Sequence, residues 1–104
     1  MNRQLTMLIV DDMEVERISF AEIFKDEYQI LEAENGKQAM EQLEQQKVHI
    51  VLLDLCMPVM DGFEVIREMK QQDKYADIPI VAKTAIDEKT EVKALEAGAD
   101  EYIF

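Results

Sequence analysis

The stretch from residue 50 to residue 62, IVLLDLCMPVMDG, constrains this chain more than any other. Its uninterrupted apolar opening reads as a strand covered on both faces, which requires a sheet with a layer packed on each side. The lone acid that follows, Asp54, then falls at the rim of the sheet rather than inside it. Packing does not require a charge there, and open α/β sheets carry their sites at the C-terminal ends of their strands. Asp54 is therefore the expected centre of the chemistry.

The remaining segments alternate around that strand. Met7, Leu8, Ile9 and Val10 end a first buried strand over 5–10, which Asp11 and Asp12 close. A helix over 13–25 follows, with Val15, Ile18, Phe20, Ala21, Ile23 and Phe24 as the side toward the sheet and Asp11 or Asp12 as its cap. Half-polar residues 28–33 predict an edge strand, and Ala39, Met40 and Leu43 predict a surface helix over 37–46. The central strand spans 48–53. Asp61 is placed to cap a helix over 62–72 that turns Phe63, Ile66 and Met69 inward. Residues 78–84 form the next strand, with Pro79 at its start because it has no amide proton for the ladder. A helix over 87–97, with Val92 and Leu95 inward and Gly98 as its left-handed terminator, leads to a last strand over 100–104. Regular strand and helix alternation predicts a doubly wound parallel sheet in one domain, 1–104.

Composition narrows the function. A formal net charge of -12, from 11 basic and 23 acidic residues, opposes direct nucleic-acid contact, which depends on clustered cations. No apolar run approaches the roughly 20 residues of a membrane span, and the polar start gives no signal peptide. The single cysteine, Cys56, has no internal partner, so a reducing, cytoplasmic setting is expected. The seven methionines read as core filling.

The strand order of a doubly wound sheet brings Asp11, Asp12, Asp54 and Thr84 to one crevice. Three carboxylates repel one another, and a divalent cation removes that cost; hard oxygen donors select Mg²⁺ or Mn²⁺. A carboxylate beside a metal-bound phosphoryl group can act as nucleophile. Each signal has a plainer reading. Adjacent acids after a strand are most often a helix cap, and a lone Asp after a strand is most often a turn residue. His49 falls at the far end of its strand as a surface residue, and alternation sets Lys83 opposite Thr84, as a surface lysine.

Taken together, LIVDDME around Asp11 and Asp12, VLLDLCMPVMDG around Asp54, IPIVAKTA around Thr84 and AGADEYI near the end resemble the receiver domain of bacterial two-component response regulators. The resemblance covers essentially the whole chain. It implies a flavodoxin-like five-stranded sheet of order 2-1-3-4-5. It implies Asp54 as phosphoacceptor, and a Mg²⁺ site built by Asp11, Asp12, Asp54 and the backbone carbonyl of Cys56. Thr84 corresponds to the switch hydroxyl and Tyr102 to the switch aromatic. The family's lysine after the last strand would follow Phe104, so the resemblance is to a receiver with a shortened last strand and without its final helix. An apolar side left uncovered there predicts self-association or exchange of elements between chains.

The function implied is phosphate acceptance from a histidine kinase or phosphotransfer protein, followed by a conformational signal to an output domain or protein. The resemblance thus implies a signalling domain rather than an enzyme. A receiver used only as a protein-binding module is the alternative. An aspartate-nucleophile phosphatase of the haloacid dehalogenase type fits less well, because those enzymes carry a second Asp two positions after the nucleophile, where this chain has Cys56.

Overall fold

Parallel strands cannot be joined by tight hairpins, so successive strands here require crossover connections. The computed structural model describes residues 4–55, 62–83, 93 and 95–103, excepting the side chain of Tyr102. Strands β1 (Leu5–Val10), β2 (Tyr28–Ala33), β3 (Ile50–Asp54), β4 (Ile80–Lys83) and β5 (Glu101–Ile103) form one sheet of order β2-β1-β3-β4-β5. All four pairings are parallel. Helices α1 (Glu14–Phe24), α2 (Gly36–Gln45) and α3 (Gly62–Gln71) lie between them. This is the flavodoxin-like order implied by the resemblance, with β5 short and β2 at the edge.

Alternation along the strands divides the interior in two. Leu8, Val10, Val51, Leu53, Ile80 and Ala82 point to one face and pack with Ala39 and Leu43 of α2 and Val65, Ile66 and Met69 of α3. Met7, Ile9 and Leu52 point to the other, where Phe20, Ala21 and Phe24 of α1 cover them. The first layer is the thicker one, and its apolar burial supplies most of the hydrophobic stabilisation at roughly 25 cal/mol per Å².

The thin layer corrects the expected inner side of α1. None of its residues is fully buried, and Val15 (72%), Ile23 (64%) and Ile18 (51%) are exposed. At about 100° per residue, Phe20, Ala21 and Phe24 share one stripe and those three lie well off it. Leu95, expected inward, is also exposed, Val92 lies outside the described residues, and Met13 is exposed whereas Met7 and Met69 fill the core.

Local ends follow hydrogen-bond need. Asn35 caps α2 by accepting from the Gln38 amide at 2.8 Å, and Gln38 in turn accepts from the Glu34 amide at 3.0 Å. α1 has no such cap. Met13 stands at its N-cap position, and Asp11, two residues before it, instead accepts from the Met13 amide at 3.0 Å, too early to serve the helix. His49 clips the N-terminal ends of β1 and β3 together: its Nδ1 accepts from the Thr6 amide and its own amide donates to the Thr6 carbonyl, both at 2.9 Å. Pro79 precedes β4, where its carbonyl accepts from the Val51 amide at 3.0 Å. Gly98, with φ of 120°, takes the left-handed conformation expected of it. Among the described residues no helix is long and apolar enough to cross a membrane.

α3 starts pressed against the end of β3. A Cβ on Gly62 would stand 2.5 Å from the Asp54 carbonyl oxygen and 2.6 Å from the Leu55 Cα, both backbone atoms that cannot swing aside. Asp61, expected to cap this helix, lies outside the described residues. The Gly62→Ala variant is expected to lose about 1–3 kcal/mol of stability through overpacking. Asn35→Ala is expected to lose about 1 kcal/mol through the missing cap. Urea denaturation followed by circular dichroism measures both; a Gly62→Ala midpoint equal to that of the unsubstituted chain would show that the close approach is not a constraint.

Candidate functional site

Parallel pairing sends the C-terminal ends of β1, β3 and β4 to one rim of the sheet. Val10 is in register with Leu53, and Asp54 is in register with Lys83. Ile9, Leu52 and Val81 belong to the α1 layer, so the period of two along each strand carries Asp11, Asp54 and Lys83 to the same side. The carboxylates of Asp11, Asp12 and Asp54 each offer an oxygen, and these oxygens all lie within 4.8 Å of one another. Asp11 is 2% exposed, Asp54 is half-buried and Asp12 is open to solvent.

Asp11 is held on several sides. Its amide donates to the Ala33 carbonyl at 3.1 Å, and its carbonyl accepts from Arg17 Nη1 at 2.7 Å. Arg17 is itself fixed by Glu32, 3.2 Å from its Nε. The Asp11 Oδ1 accepts from the Met13 amide. The Oδ2 accepts from Lys83 Nζ at 3.3 Å.

Lys83 overturns the expectation of a surface lysine. Its ammonium bridges Asp11 and Glu16, lies 5.8 Å from the centre of the Phe20 ring, and leaves only 21% of the side chain exposed. Alternation does set position 83 opposite position 84. The registers add what alternation lacks: position 83 stands beside Asp54 on the side that also carries Asp11. Burial pulls the Lys83 pKa down, but the hydrogen bond to Glu16 and the charge of Asp11 more than offset it, so it stands above the ordinary 10.5. The bridge gives the buried Asp11 carboxylate its countercharge. Among the described residues no buried side-chain nitrogen or oxygen lacks a partner.

Of the residues singled out by sequence, the structure brings together Asp11, Asp12 and Asp54. Cys56 and Thr84 lie outside the described residues. Tyr102 is placed only by its backbone, in register with Ala82 on β5. Lys83, Glu16 and Phe20 were missed as members of the site. The spacing of Glu16 and Phe20, one helical turn apart on α1, was the available signal, but it gains meaning only beside a cation.

The donor set suits a small hard cation. Three carboxylates whose oxygens lie within 4.8 Å of one another, one buried and one solvent-facing, are the oxygen donors such an ion prefers. His49, at the opposite end of β3, is bonded to Thr6 and stands apart from this set.

Comparison with known proteins agrees with this geometry. The model of the response regulator receiver domain matches residues 7–104. The chemotaxis protein CheY of Halobacterium salinarum is 40% identical over 98 residues, covering 93% of this chain and 81% of that protein. Histidine kinase P4 of Formosa agariphila is 38% identical over 99 residues, which are 94% of this chain and only 7% of the kinase. The structure of the chemotaxis protein CheY4 of Vibrio cholerae superposes with a TM-score of 0.89 at 24% identity, covering 97% of this chain and 86% of that one, and supports the fold. With its sheet order, its acidic rim and a family match over nearly its whole length, the chain belongs to the response regulator receiver domain family.

Proposed function

We propose that this receiver domain accepts a phosphoryl group on Asp54 in a Mg²⁺-dependent step and passes the change on as a conformational signal. The observation that carries the reading is the cluster of Asp11, Asp12 and Asp54 at the strand ends. Asp54 ends a rigid strand whose preceding residue, Leu53, is fully buried, so its carboxylate is presented from a fixed base. One of its oxygens attacks the phosphorus of a phosphohistidine on a histidine kinase or phosphotransfer protein. The bond to the imidazole nitrogen breaks, the imidazole leaves, and an acyl phosphate forms on Asp54.

Asp11 and Asp12 would hold Mg²⁺ or Mn²⁺ together with Asp54 and the backbone carbonyl of Cys56. The cation supplies neutralisation of the charge that builds on the phosphoryl oxygens. In this reading the Thr84 hydroxyl accepts the role of phosphoryl ligand, and Tyr102 turns with it. A phosphoryl group adds about -1.5 to -2 charge at neutral pH, enough to bias a two-state element toward an output domain or partner protein. The domain stores a signal without turning over a substrate, in a cytoplasmic setting.

Intact-mass measurement after incubation with Mg²⁺ and acetyl phosphate tests the reading. One phosphoryl adduct is expected on the native chain, with none on Asp54→Asn and none when Mg²⁺ is chelated. An adduct that persists on Asp54→Asn would remove Asp54 as acceptor. No adduct on the native chain under any of these conditions would favour the module that only binds partners.

A further inference from the structure

We propose that Lys83 is a built-in counter-cation that competes with divalent metal for Asp11, with Glu16 as the carboxylate that receives its ammonium when metal arrives. The inference rests on the metal-dependent reading above and concerns how tightly the same site holds its ion.

Its basis is the distribution of oxygens around one ammonium. Asp11 Oδ1 accepts from the Met13 amide, and Lys83 Nζ is 3.3 Å from Oδ2. Two cations on one carboxylate oxygen repel strongly at such distances. A metal ion that takes Asp11 Oδ2 must therefore displace the lysine. Glu16 already shares the ammonium and is 36% exposed, so an ion pair there keeps access to water. The Lys83 ammonium itself lies 5.8 Å from the centre of the Phe20 ring, one turn along α1 from Glu16, so the ring flanks it while it is shared by the two carboxylates. The arrangement holds the buried Asp11 neutralised in the metal-free chain and lowers metal affinity by the cost of moving one lysine.

Mn²⁺ binding tests this without any phosphodonor, with free Mn²⁺ counted by electron paramagnetic resonance. Lys83→Met is expected to bind Mn²⁺ about tenfold more tightly than the native chain, since a unit charge beside a ligand oxygen is removed. Glu16→Gln is expected to bind it several-fold more weakly, since the displaced ammonium loses its second carboxylate. In the Lys83→Met background, Glu16→Gln should matter much less, which a general loss of negative charge would not produce. Lys25→Gln is the charge control: Lys25 pairs with Glu22 near the far end of α1 and should leave the affinity unchanged. Lys83→Gln serves as a second variant, and circular dichroism confirms that each is folded. Equal Mn²⁺ affinity in folded Lys83 variants and the native chain overturns the inference and leaves the proposed function standing. Mn²⁺ binding by neither overturns both. Binding gained only on loss of Lys83 supports the inference in its strongest form.

Discussion

The parallel registers of β1, β3 and β4 are the constraint on which the rest of this molecule depends. They set Val10 beside Leu53 and Asp54 beside Lys83, and so turn three separate segments into one charged rim. A slip of one residue in either pairing would send a whole strand's side chains to the other face, because the period of a strand is two. The apolar alternation prevents it. Leu8, Val10, Val51 and Leu53 can all be buried against α2 and α3 only in the observed alignment, and that burial holds the acids where they repel most. Core packing thus bears the cost of assembling Asp11, Asp12 and Asp54, and the Lys83 bridge offsets part of it.

Much of this arrangement was legible in the residues. The run from Ile50 to Leu53 read as a doubly covered strand, and strand and helix alternation then led to a parallel sheet with its acids at one rim. The type of each described element was therefore readable, although ends moved by a residue or two, as with β4 beginning after Pro79. Lys83 was not readable. Its place depends on which residue of β3 it stands beside, a long-range fact that local alternation does not contain. The outer side of α1 failed for a related reason. Val15, Ile18 and Ile23 satisfy a loose count of apolar residues, whereas the actual contact is one narrow stripe through Phe20, Ala21 and Phe24. Exposed apolar residues are individually unremarkable, so the sequence held no warning that this face would be left open.

The two layers also divide labour. On one side Val65, Ile66 and Met69 are fully buried, and α3 abuts the backbone at Asp54 so closely that Gly62 admits no side chain. Close-packed interiors of this kind resist small displacements. The carbonyl end of β3, and with it the base of Asp54, is therefore fixed from the α3 side.

On the other side the contacts are fewer and partly polar. α1 touches the site through Glu16, which shares the Lys83 ammonium, through Phe20 beneath it, and through Arg17, which donates to the Asp11 carbonyl. Any change in charge at the rim acts on these three residues of a helix that has no fully buried residue to hold it still. A dense layer transmits strain as a block, whereas a thin one yields locally. Charge entering the site therefore meets a rigid wall at α3 and an adjustable one at α1, and the electrostatic balance of Asp11 with Lys83 is the contact through which the adjustable wall responds.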